Sequence, residues 1–232
     1  MQYNKEEYIL MKNILFSFLI SVLFIFLFIP AGCKKQTTEP DEPLFHQSND
    51  SVTVRKPNIY LYPQKTCSLS ITLEFPLGGS VIQSIPQYAN GWSVEVSTTG
   101  LINHQYEYLF YKSKTPDAYQ YNSGWIVCRD TLSSFFTSNL HQVGFSQKET
   151  DDFLAYWIPL LKEYPYYIIY PQFKDDIEKV IHLNIFHKPD NVLRLFYVIK
   201  GMNDDDRNIV QPSIPNFERN GFIVTEWGVI LK

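Results

Sequence analysis

The chain of 232 residues holds only three cysteines and ten glycines, and charged side chains make up just 19% of it. So little glycine and charge excludes collagen-like, low-complexity and charge-rich disordered chains. No basic excess exists either. Twenty Lys and Arg stand against 24 Asp and Glu, a net charge of -4, so nucleic-acid binding loses its electrostatic basis and no nucleic-acid partner is expected. GxSxG, HExxH and CxxC are all absent, which leaves a serine-hydrolase elbow, a zinc-protease helix and a thiol zinc site without sequence support. Asp204, Asp206 and Asn208 have calcium-loop spacing. Ile209 stands where that loop needs Gly, however, and Pro215 where it needs Glu, so a solvated acidic turn is expected. His182 and His187 are five apart and read as rim histidines. Neither a metal nor a cofactor is expected.

What the chain does have is apolar and aromatic bulk, 45% and 16%, enough for one sizeable core. Part of that bulk is an address. Ile14 to Ile29 is an uncharged apolar run, shorter than the ~20 residues of a spanning helix, and it ends in Pro30-Ala31-Gly32-Cys33. This ending resembles the lipobox of bacterial lipoproteins, although Pro30 stands where Leu is usual. The resemblance implies cleavage before Cys33 and acylation of Cys33, with the membrane as partner through that lipid. Met11 gives a cleaner start than Met1, because Glu6 and Glu7 sit badly in a basic leader. Removing residues 1–32 takes away Lys5, Lys12, Glu6 and Glu7 and leaves the net charge unchanged. Polar residues 34–52, with Pro40 and Pro43, read as a flexible tether. Lys34 after the cysteine, by analogy with enterobacterial lipoproteins, argues against inner-membrane retention. The expected organisation is a signal peptide over 1–32, a lipidated tether over 33–53 and one globular domain over 54–232.

Within that domain the period is mostly two. Leu69, Ile71, Leu73 and Phe75 alternate with Ser68, Ser70, Thr72 and Glu74, a half-buried strand. Further strands are predicted over 58–62, 80–85, 92–97, 106–111, 125–128, 167–170, 180–186, 192–200 and 222–229. Gly78-Gly79, Asn90-Gly91, Thr99-Gly100 and Asn122-Ser123-Gly124 punctuate the early ones at hairpin spacing. Between Thr131 and Tyr164 the period becomes helical. Gly144 is placed as a C-cap, Ser146-Gln147-Lys148-Glu149 as a capping box, and Pro159 as a kink or an early end. The predicted class is α+β, a mainly antiparallel sheet or sandwich with a helical hairpin inserted at about 131–164. Cys67 and Cys128 would share an oxidising compartment, where a disulfide is permitted; two separate buried thiols are the other reading.

Four phrases stand out: Lys56-Pro57-Asn58-Ile59-Tyr60-Leu61-Tyr62-Pro63, Tyr108-Leu109-Phe110, Asp152 through Pro159, and Phe217 through Gly228. In this order they resemble a family of bacterial secreted or surface proteins that start with KPxIYLYP and end with FERxGFxVxEWG. The resemblance implies one intact domain and supplies no reaction. From the residues themselves, Arg194 lies between Leu193 and Leu195, and alternation puts Glu226 with Phe222 and Val224. A buried Glu226 needs a cation, with Arg194 or Arg219 the candidates, as a structural ion pair or a ligand site. Tyr60, Tyr62, Tyr108 and Trp227 could form an aromatic surface that stacks on sugars, but core packing in a sheet accounts for most of them. The expectation is a lipid-anchored protein of the bacterial cell envelope, at the outer membrane, that binds an envelope ligand or protein or serves a structural role. An envelope hydrolase acting on a polymer such as a glycan is the alternative.

Overall fold

A computed structural model describes residues 51–232, which fall within one compact unit. The expected signal segment, the lipid site Cys33 and the tether as far as residue 50 lie outside the described residues. The described chain runs β1 (Val52–Tyr62), β2 (Cys67–Glu74), β3 (Ser80–Ile85), β4 (Trp92–Val96), β5 (Leu109–Thr115) and β6 (Trp125–Cys128). Helices α1 (Leu132–Val143) and α2 (Gln147–Trp157) follow, then β7 (Tyr166–Phe173), α3 (Lys174–Glu178), β8 (His182–Phe186), β9 (Asn191–Met202) and β10 (Ile223–Leu231). This is an α+β fold. A seven-stranded sheet has the order β3-β5-β1-β10-β9-β7-β6, and a three-stranded sheet has the order β4-β2-β8.

Two apolar clusters sit on the two faces of the large sheet. One contains Ile59 and Leu61 of β1, Leu69 and Ile71 of β2, Trp92 of β4, and Phe196 and Val198 of β9, so it fills the space between the sheets. The other contains Phe136 and Leu140 of α1, Phe153 and Trp157 of α2, and Leu195, Tyr197, Trp227 and Val229 from the opposite face of the same strands. Layers therefore cover the large sheet on both sides. β2 still has a wet face and alternates, with Leu69, Ile71 and Leu73 buried and Ser68, Ser70 and Glu74 exposed. β10 is covered twice, and all nine of its residues are buried, Thr225 and Glu226 among them.

Thr99-Gly100 closes a tight antiparallel turn, with Ser97 N donating to the Leu101 carbonyl and Val96 bridged to Ile102, but the two earlier glycine signals do not close hairpins. Gly78-Gly79 carries the chain from β2 in the small sheet to β3 in the large one, and Asn90-Gly91 returns it to β4 in the small sheet. Both turns press on backbone. A Cβ at Gly79 would lie 2.4 Å from the Lys114 carbonyl oxygen, and one at Gly91 would lie 2.9 Å from that of Ile71. All strand pairs are antiparallel except β9 with β10, which run parallel in the register Glu226 opposite Arg194. Parallel neighbours need a crossover. Here it is an irregular strap, residues 203–222, fastened where Val210 accepts a hydrogen bond from Gly124 N and where Phe217 packs on Gly144.

The helical hairpin has the expected punctuation. Gly144 adopts φ 115°, and the N–H groups of Gly144 and Phe145 turn back to His141 and Leu140 carbonyls in a Schellman closure. Ser146 and Glu149 form the capping box of α2. That helix ends at Trp157, so Pro159 marks an early end and no kink. Pro57 sits in the middle of β1, where its missing N–H is tolerated because the ladder is interrupted between Arg55 and Asn58 and Lys56 takes φ 55°. Gly228 makes room opposite: a Cβ there would lie 3.3 Å from the Pro57 ring and 2.9 Å from Phe196.

Candidate functional site

The four phrases, far apart in sequence, meet in space around β1, β10 and α2. Tyr60 tilts against Trp227 at 6.5 Å and stands edge-on to Tyr108 at 5.4 Å, while its hydroxyl donates to Asp152 Oδ2 at 2.9 Å. Lys148 bridges Asp152 at 2.9 Å and Glu107 at 3.0 Å. Burial, and then the charge of Asp152, push the Tyr60 hydroxyl well above its ordinary pKa. The Lys56 ammonium lies 4.6, 5.1 and 5.4 Å from the ring centres of Phe110, Tyr108 and Tyr156, a cation held among aromatic faces. These aromatics form no open sugar platform. Tyr60 and Trp227 are buried, because the helical hairpin covers this face, and Tyr62 and Tyr108 are half-buried against the same cluster.

Inside the sandwich, Arg194 Nε donates to Glu226 Oε2 at 2.5 Å, and Tyr111 donates to Glu226 Oε1 at 2.7 Å. Arg194 Nη1 donates to Glu178 Oε1 of α3 at 2.6 Å and to the Ile181 carbonyl at 2.7 Å. Desolvation works to lower the Arg194 pKa, but the charges of Glu226 and Glu178 outweigh it and hold the guanidinium above its ordinary value. Burial, with Glu226 alongside, pushes the Tyr111 hydroxyl well up. Arg194 is thus the cation that Glu226 needs.

Arg219 is not. It precedes β10, in the strap on the helical side, and its two terminal nitrogens lie 3.0 and 3.2 Å from the oxygens of Glu149. Glu149 is fully buried and also accepts from Thr225 Oγ1 at 2.7 Å and from Ser146 N at 2.6 Å. The sequence pattern marks Glu149 only as a capping residue. Its inward turn depends on Thr225, a hydroxyl on the helix-facing side of an otherwise apolar strand, and that is the signal which could have found it.

None of these buried charges lines the open cleft, of about 720 Å³, beside β8. The cleft's walls carry Lys174, Glu178, Leu183, Ile185, Lys188 and Asp190, and Ser70, Thr72, Asn184 and Phe186 rim it from the outer face of the small sheet. Phe186 is 71% exposed. Glu178 links the cleft to Arg194, whereas Asp190 Oδ2 is taken by Phe222 N at 2.6 Å. His182 lies in β8 and His187 just past it with φ 65°, its ring 4.9 Å from that of Phe186. The groups Asp204, Asp206 and Asn208 are exposed strap residues. Cys67 and Cys128 are free thiols, neither of them fully buried. Compared with known protein families, curated proteins and solved structures, the chain matches none.

Proposed function

We propose that this protein is a lipid-anchored component of the bacterial cell envelope, at the outer membrane, whose folded head is a binding module with the cleft beside β8 as its ligand site. The anchor rests on the apolar run Ile14 to Ile29, which ends in the lipobox-like Pro30-Ala31-Gly32-Cys33, followed by a polar tether. Two or more acyl chains on Cys33 hold such a protein on a bilayer, since each buried CH2 contributes about 0.8 kcal/mol. The resemblance to secreted or surface proteins points the same way. The observation that carries the binding reading is the division of charges: Arg194, Glu226 and Glu149 are consumed in fixed buried contacts, while the open cleft is lined by side chains that remain accessible.

Hydrolysis of a glycan is the second reading, because Glu178 and Asp190 line the same cleft. Each already holds a partner within the chain, which favours binding over acid–base work. Labelling with radioactive palmitate and detergent phase partitioning test the anchor. The intact protein is expected to carry label and enter the detergent phase, and Cys33→Ala to do neither. Equal labelling of both would overturn the anchoring.

A further inference from the structure

Among the described residues the small sheet leaves one edge of β8 open, and the backbone pattern shows where that edge points. Leu73 N donates to the Tyr88 hydroxyl at 2.9 Å, and the same hydroxyl donates to Leu73 O at 3.3 Å. A Cβ at Gly91 would strike the Ile71 carbonyl oxygen, so that oxygen points toward the β4 side as well. Odd-numbered residues of β2 therefore turn their backbone groups away from β8, and the hydrogen-bonded pairs across β2 and β8 are Ser70 with Phe186, Thr72 with Asn184 and Glu74 with His182. It follows that Leu183 and Ile185 direct their N–H and C=O groups to the opposite, open edge. No hydrogen bond from another described residue reaches them. Four successive residues of β8, Leu183 to Phe186, line the cleft, as happens when a strand presents its edge to it.

The unpaired backbone groups of Leu183 and Ile185, about 7 Å apart along the strand, form a short template for another strand. We propose that the cleft captures an extended acidic peptide segment of a partner protein by strand addition to β8, pairing with Leu183 and Ile185. The acidic character follows from which charged groups of the wall are free, since its formal charges balance, Lys174 and Lys188 against Glu178 and Asp190. Glu178 is bonded to Arg194 and Asp190 to Phe222 N, whereas Lys174 and Lys188 have no partner among the described residues. Lysines beside an open edge also serve to keep strands from joining, and the experiment separates the two roles. This inference rests on the binding reading of the cleft and names its ligand class.

The test pans random linear peptides displayed on phage against the full chain in detergent micelles, then measures synthetic copies of the enriched peptides. Acidic peptides are expected to bind. Methylating alternate backbone nitrogens on one edge of such a peptide, which leaves its side chains intact, should weaken binding about tenfold or more. Ile185→Pro, which removes one edge N–H that the sheet does not use, should weaken it similarly, and Lys174→Glu with Lys188→Glu should remove the preference for acid. Failure to enrich any peptide, binding indifferent to N-methylation, or displacement by cellohexaose or an oligogalacturonate would each overturn strand addition. Peptide capture by a chain that takes no palmitate would break only the anchoring, and a lipidated chain that captures no peptide would break only this inference.

Discussion

Two carboxylates are fully buried on opposite faces of the same sheet, and the molecule treats them differently. Glu226, between the sheets, meets Arg194, a cation as buried as itself and shared with Glu178. Glu149, under the helices, meets Arg219, whose side chain is 29% exposed, and takes two further bonds from neutral donors, Ser146 N and Thr225 Oγ1. The first arrangement is framework: neither charge can reach water, so each exists only with the other. The second is a latch. It closes the end of the strap over the helical hairpin, and water can replace its cation at modest cost.

The contrast makes four predictions for chemical unfolding. Arg194→Met should be the most damaging, about 3 to 5 kcal/mol, because it strands the charge of Glu226 inside the sandwich. Adding Glu226→Leu to that variant should recover part of the loss, and if it recovers none the attraction between the two charges is not what the single change removed. Glu149→Gln should cost about 2 to 3 kcal/mol, through weakened bonds to Thr225, Ser146 and Arg219. Arg219→Ala should cost only about 1 to 2 kcal/mol. It should also speed tryptic cleavage at Arg207 in the strap, an effect not expected of Arg194→Met under native conditions. If Arg219→Ala proves as costly as Arg194→Met, the distinction between framework and latch fails. Phe186→Ser, at the rim of the cleft, should change stability by no more than about 0.5 kcal/mol. A larger loss would mean that this exposed ring supports the fold.

The period-two pattern of β10 placed Glu226 on the right face, and the helical hairpin with its caps could be read almost residue by residue, because both signals are local. Partners were harder to read. Arg194 stands directly opposite Glu226 because β9 and β10 pair in parallel, and alternation within a strand says nothing about its neighbour's direction. Alternation leaves Trp227 and Tyr60 open to either core packing or a wet face; here layers cover both faces of the sheet, and only the tertiary arrangement decides that. Glycine pairs announced turns correctly but not their destinations, since positive φ bends the chain equally well toward a hairpin partner or a second sheet. Glu178 escaped notice because five residues of α3 are too few to show a period.

The placement of β10 also governs how the molecule can assemble. It lies between β1 and β9 at the centre of the large sheet, yet among the described residues it is the last of ten strands in chain order. Its antiparallel neighbour β1 is the first. Much of the sheet's pairing therefore joins distant parts of the chain, a high contact order that places folding among the slow topologies, milliseconds to seconds. While a chain is still emerging, β1 and β9 have each other's missing neighbour in common, and both keep an open apolar edge until β10 arrives. In a chain that emerges from its N-terminus, closure of the large sheet therefore waits for β10 and comes last.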